Sequence, residues 1–394
     1  MESESVNAPL KKERLYYLDW LKVFAILMVF IFHNAHFFDP IDWSLKNDTQ
    51  SSSMTIIFLL IHFWSMPLFF FLAGAGTKYA LKFRSRKEYV FERIKRLLIP
   101  FCIGMLILAP PQGYVESMEK LKYKGSFIDY YPQFFLNLFH SFSPEALGKY
   151  TYHLWFLGFL FIFSLVALPF FGWLNKGKIR LMISKIALFS NKKGFIFLFA
   201  LPILASHLIL RVKFPNYNDV ADFFYWLIYF LYGYILFSNI KFSEIINKHY
   251  KSAFFTGLFC IGLMILFLIS GHNVEWFEYP SYSFASVIFM VVYSLLTWSW
   301  VIFFLGAGFN LLNFSNKFLK YSTEALLPFY LLHQTVILII GFYVLDFKID
   351  IFFKFLIIST SSFILTVLIY DLLIKRFNPI RFLFGMKPIK AVVS

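Results

Sequence analysis

The sequence predicts an all-α protein: a polytopic membrane bundle of about ten transmembrane helices. Hydrophobic residues make up 59% of the 394 and charged residues only 15%, too few to coat a soluble domain of this length. Apolar runs of span length recur from one end of the chain to the other. The runs are continuous rather than alternating, which argues against a β-barrel.

Taken in order, the pattern predicts spans at residues 17–38, 54–76, 94–113, 151–173, 195–213, 221–238, 252–271, 283–309, 323–345 and 351–374. Each suits a hydrocarbon core of ~30 Å at a rise of ~1.5 Å per residue. The third is interrupted by Pro110 and Pro111, and the fifth and sixth are short. The opening MESESVNAPLKKERLYY does not read as a cleaved signal, so the first span is expected to be permanent. No internal repeat is visible.

Lysine and arginine set the orientation. They gather at the amino terminus (Lys11, Lys12, Arg14), between Lys78 and Arg96, between Lys176 and Lys193, from Lys241 to Lys251, at Lys317 and Lys320, and in the tail. The opposite side is richer in acid, with Asp39, Asp42, Asp48, Glu116, Glu119, Glu145, Glu275 and Glu278. Both termini are therefore expected in the cytoplasm, in agreement with an even number of spans. The layout is a cytoplasmic segment 1–16, a membrane domain 17–374 and a cytoplasmic tail 375–394, with the outer loop 114–150 as a candidate lid. The stretch YYPQFFLNLF at 130–139 suits the membrane interface. The net charge of +15 lies beside the spans, where it serves topology rather than nucleic-acid binding. Cys102 and Cys260 sit inside apolar runs and suggest neither a disulfide framework nor a metal site.

The first span, LDWLKVFAILMVFIFHNAHFF, carries Asp19, Lys22, His33 and His36. Ionisable groups inside a span are functional candidates by default. Lys22 and His33 are eleven residues apart, close to three full turns, so they share a face about 16 Å apart along the axis. Asp19, three residues before Lys22, is placed to pair with it. In the third span, FERIKRLLIPF puts Arg93 and Arg96 on one face at the cytoplasmic end. Lys22, Arg93 and Arg96 then lie at one depth, an arrangement suited to phosphates, which arginine grips with two parallel bonds. A cytoplasmic carrier with phosphates at one end and a long arm, such as an acyl-CoA, would dock there and reach towards His33. Histidine is the usual base for deprotonating a hydroxyl near neutral pH. The plainer alternatives are a snorkelling lysine, arginines that only set topology, and a histidine that bonds another helix. His36, nearer the interface, is secondary.

These residues resemble the acyltransferase type-3 family of integral-membrane acyltransferases. The likeness rests on Asp19, Lys22 and His33 in the first span, and on MPLFFFLAGAG at 66–76, an aromatic-rich run into a small-residue turn. It rests also on ERIKRLLIP with Arg93, Arg96 and Pro100, on HLWFL at 153–157, on PFYLLHQTV at 328–336 and on RFLFGMKP at 381–388. It covers about 15–388 and looks nearest to a glucan-succinylating branch. It implies acyl transfer from cytoplasmic acyl-CoA to a hydroxyl at the outer face, usually of a carbohydrate, with His33 catalytic. Lys22 stands where the family has arginine, so charge is kept and the planar fork is lost.

Other candidates follow from position. His333 and Gln334, near mid-membrane in the ninth span, are candidates to line the acyl path or to stabilise the oxyanion. Glu324, at the inner end of that span, is a candidate partner for the basic cluster or a carboxylate favoured by the helix dipole. His153 and Trp155 are expected at the outer mouth of the fourth span, the Trp stacking on a sugar or belonging to the aromatic belt. His62 lies in the outer half of the second span, and Glu275, Trp276 and Glu278 form a short outer loop. No Gly-rich phosphate loop and no Cys/His metal cluster occurs, so no resident metal or cofactor is expected, with acyl-CoA as donor substrate. The expected protein is a multi-pass O-acyltransferase of the cytoplasmic membrane, moving acetyl or succinyl to an extracytoplasmic acceptor. The competing readings are a secondary transporter of a small anionic or sugar-like substrate and a two-step enzyme with an acyl-histidine intermediate.

Overall fold

A computed structural model of the chain describes residues 14–140, 149–216, 218–271 and 280–389. Among them every regular element is helical, and eight helices are long and apolar enough to cross a membrane. Two shorter apolar helical segments, Phe195–Arg211 and Val220–Leu236, lie at the fifth and sixth expected spans. Lys11, Lys12, Glu145, Glu275, Trp276 and Glu278 lie outside the described residues.

The elements are α1 (Tyr16–Ala35), α2 (Ser52–His62), α3 (Ser65–Phe83), α4 (Arg86–Arg93), α5 (Ile99–Ile107), α6 (Ala109–Lys120) and α7 (Phe127–His140). After them come α8 (Trp155–Leu174), α9 (Gly177–Ser190), α10 (Ala200–Ser206), α11 (Val220–Leu236), α12 (Ile240–Ile269) and α13 (Phe284–Leu311). The last three are α14 (Lys317–Val344), α15 (Ile351–Ile369) and α16 (Asn378–Leu383). Capping residues explain several starts. Asn316 Oδ1 accepts Leu319 N at 2.8 Å and Asp350 Oδ1 accepts Phe352 N at 2.8 Å. Ser85 and Glu88 form a reciprocal capping box ahead of α4.

Four expectations change. The second span is broken at Phe63–Trp64, and the small-residue run 72–77 is not a turn but the middle of α3. A Cβ on Gly74 would fall 1.9 Å from Phe230 O, and one on Gly233 would fall 1.9 Å from Phe71 O. The glycines therefore let α3 and α11 touch backbone to backbone, the usual tactic of helices that pack in lipid. The third span runs on from Arg86 to Lys120 through a π-helical turn at Ile94–Leu98 and a shift of axis at Leu108, before the two prolines. The expected lid 114–150 consequently contains the end of α6 and the whole of α7, whose Ile128, Leu136 and Phe139 are exposed as an interfacial helix requires. The described part of the tail is also tied to the bundle: α16 packs on α5, and Arg381 is buried.

The central element is α14, 72% of whose apolar window is buried, against 22% for α12 and for the last span, which are therefore peripheral. Helix α1 packs against α2, α3, α13, α14 and α15. Both chain ends meet one face of the bundle. Trp20 Nε1 donates to Phe314 O at 3.0 Å at the start of α1, and Arg381 donates to Glu324 Oε1 at 2.7 Å at the start of α14.

Candidate active site

Packing of α1 on α14 brings His33 and His333 together, their ring centroids 5.2 Å apart. A 3-10 turn at Tyr152–Leu154, just before α8, adds His153, whose ring is 5.1 Å from that of His333. Gly104 of α5 lets this turn approach, because a Cβ there would lie 2.8 Å from Leu154 Cδ1. Tyr152 sits at φ 48°, a left-handed conformation uncommon for a residue with a side chain. Three histidines from separate segments thus form one row inside the bundle.

Their hydrogen bonds decide what they present. His333 Nδ1 lies 2.6 Å from Tyr330 O, and only an N–H can satisfy a carbonyl. Neutral His333 therefore carries its lone pair on Nε2, which is buried without a partner. His153 Nε2 likewise donates to Leu331 O at 3.0 Å and leaves Nδ1 buried and unpartnered. Tyr330 OH donates to His153 O and ties the turn to α14. His33 Nδ1 is also buried without a partner. His33 is the partly accessible member, whereas His333 is fully buried. This corrects one expected role: the free nitrogen of neutral His333 accepts, so it does not donate to an oxyanion. Gln334, 2% exposed, keeps an unpartnered Oε1. Among the described residues no group of His, Cys, Asp and Glu is arranged to hold a metal ion.

His62 is one ring away from the row: Phe32 lies nearly parallel to His62 at 6.2 Å and edge-on to His33 at 5.0 Å. Trp155 is not at an open mouth. It is 7% exposed and packs on Phe70, Phe159 and Trp226, so a sugar has no free face of it to stack on.

The first outer loop, residues 36–51, covers the end of the row. Trp43 lies nearly parallel to the His33 ring at 5.7 Å and to the His36 ring at 4.7 Å. Lysines hold the loop. Lys120 reaches Asp42 at 3.0 Å, and the buried Lys354 bonds Asn47 Oδ1 at 2.8 Å and the carbonyl of Leu345. Lys46 bonds Asp39 Oδ1 at 3.2 Å, and burial lowers its ammonium pKa, partly offset by that carboxylate. Composition gives no sign of this role for Trp43. The available signal is an aromatic residue in a short polar loop beside a span that ends in histidine.

At the inner end, among the described residues, Lys22 and Arg96 each pair with a carboxylate of their own segment, and Arg93 does not. Lys22 pairs with Asp19 at 3.3 Å, which also binds Arg14 at 2.8 Å. Arg96 pairs with Glu92 at 3.5 Å, and Arg93 lies 4.7 Å over the Tyr89 ring with its Nε unpartnered. Glu324 does not join these cations, because its partner is Arg381. Lys22 is eleven residues before His33 along α1, about 16 Å at the α-helical rise, and Arg93 is eleven residues before Gly104, which abuts the His153 turn.

The fold is a helical membrane bundle with a row of three buried histidines inside it. The chain belongs to the acyltransferase family: the model described as "Acyltransferase domain" matches residues 15–374. It is similar to the Glucans biosynthesis protein C of Salmonella heidelberg (strain SL476), 25% identical over 393 residues, 98% of this chain and 97% of that one. The proteins of that name from Salmonella agona (strain SL483) and Salmonella enteritidis PT4 (strain P125109) match at the same identity and coverage. No solved structure matches at a significant level. The protein is a multi-pass membrane O-acyltransferase.

Proposed function

We propose that the chain moves an acyl group, acetyl or succinyl, from acyl-CoA at the cytoplasmic face of the cytoplasmic membrane to a hydroxyl of an extracytoplasmic carbohydrate, a glucan by analogy with its relatives. The observation that carries this reading is the row of three imidazoles from three segments, each with a buried ring nitrogen left free. An unsatisfied buried polar atom costs about 1–3 kcal/mol, so a row of them is retained where a substrate completes it.

In the proposed mechanism His33, the accessible member, takes the acceptor's hydroxyl proton. The alkoxide attacks the thioester carbonyl, thiolate leaves, and the proton on His33 passes to that thiolate. The free Nε2 lone pair of His333, in the ring beside His33, stabilises the imidazolium formed in between. The basic face around Lys22, Arg93 and Arg96 holds the donor's phosphates, about 16 Å below the histidines, and the arm spans the gap.

Transfer of radiolabelled acetyl and succinyl from their CoA thioesters to glucan, by purified protein in nanodiscs, tests the reading. The wild type should transfer one label, and His33→Ala should abolish transfer while remaining folded. Wild-type rates in that variant, or transport of the carbohydrate without consumption of thioester, would overturn it.

A further inference from the structure

His33 lacks the device that usually orients a catalytic imidazole. Among the described residues neither of its ring nitrogens has a hydrogen-bond partner, so no carboxylate or carbonyl fixes its plane. Its neighbours are rings: Phe32 edge-on, His333 tilted by 43°, and Trp43 within 14° of parallel. The only broad face against it in that set is the indole.

Trp43 is in turn held. Phe37 meets it edge-on at 4.9 Å, and His36 lies within 26° of parallel at 4.7 Å. His36 is fixed by a fully buried carboxylate: its Nδ1 donates to Asp39 Oδ2 at 2.5 Å. Asp39 is saturated, because its other oxygen accepts Ile41 N at 2.7 Å and Lys46 Nζ at 3.2 Å. Lys46 also donates to His36 O at 2.5 Å, closing the loop back on the end of α1. A carboxylate with three donors is rigid, and so is the imidazole it holds.

We propose that Asp39, His36 and Trp43 form a positioning relay for His33, in which the carboxylate sets the His36 ring, His36 sets the indole and the indole sets the plane of His33. The relay rests on the reading of His33 as the base. It places control of the reaction in the outer loop that caps the site, at residues that act through His33. Misplacing a base by about 1 Å can cost on the order of 100-fold in rate, so loss of the relay should appear in turnover.

The test compares Asp39→Asn, Trp43→Leu and Trp43→Phe with the wild type in the transfer assay, each rate normalised to folded protein. Asp39→Asn and Trp43→Leu should lower kcat at least about tenfold with KM for donor and acceptor unchanged, because orientation and not binding is lost. Trp43→Phe keeps a flat face and should recover most of the rate. Three results overturn the relay: wild-type kcat in Asp39→Asn, an effect confined to acceptor KM, or folded Trp43→Phe protein as slow as Trp43→Leu. If Asp39→Asn does not fold, the Trp43 pair decides alone. An active His33→Ala variant sinks the assignment of the base, whereas a dead His33→Ala beside a wild-type Asp39→Asn sinks the relay only.

Discussion

The two ends of the bundle treat polar groups in opposite ways. At the inner face most of the acids and bases are paired, Lys22 with Asp19, Arg96 with Glu92, Arg381 with Glu324, and Arg93 keeps one buried Nε without a partner. In the outer half His33, His333 and His153 meet ring to ring, and each keeps a buried nitrogen that nothing satisfies. A closed pair contributes to stability or breaks even, while an orphaned nitrogen subtracts from it. The outer row is therefore one part of the molecule that stability alone does not explain.

The contrast is sharpest in variants that separate stability from turnover. Replacing His333 by Leu should lower transfer at least about 100-fold, the scale of a lost acid–base partner, while leaving the melting temperature unchanged or higher. A large fall in melting temperature would mean that His333 is structural and would break the comparison. At the inner face the order reverses. Arg381→Met removes a buried guanidinium and leaves Glu324, which is 43% exposed, to be solvated. It should cost about 1–3 kcal/mol by thermal unfolding in detergent, with turnover per folded molecule nearly kept. Lys22→Arg restores the fork that suits phosphate, so a few-fold lower donor KM at constant kcat is expected. An unchanged KM would remove Lys22 from the donor site. The smallest effect belongs to Lys120→Ala. Its partner Asp42 is 85% exposed, so the loss should stay below about 1 kcal/mol and vanish in high salt.

The histidines were legible in the sequence because hydrocarbon makes ionisable residues conspicuous. His33, His153 and His333 each stand out in an apolar run, and the structure brings these three together. Trp155 was misplaced because an aromatic at a span end reads the same whether it faces a mouth or, as here, Trp226. The partner of Glu324 was not legible because it lies 57 residues along the chain, at Arg381. Trp43 and Asp39 carry no periodicity, so nothing in the sequence ties them to His33.

By itself the sequence determined the class of fold and where the long apolar helices lie, because the energetics of lipid act on one residue at a time and an apolar run of span length is visible without tertiary contacts. Only the tertiary structure decided which groups meet: that α1 and α14 share a face, that a 3-10 turn supplies the third imidazole, that backbone carbonyls at Tyr330 and Leu331 choose which nitrogens stay free. Lateral contact in a membrane is set by small-residue approaches such as Gly74 on Phe230 and by pairings between distant residues, neither of which leaves a trace in local periodicity.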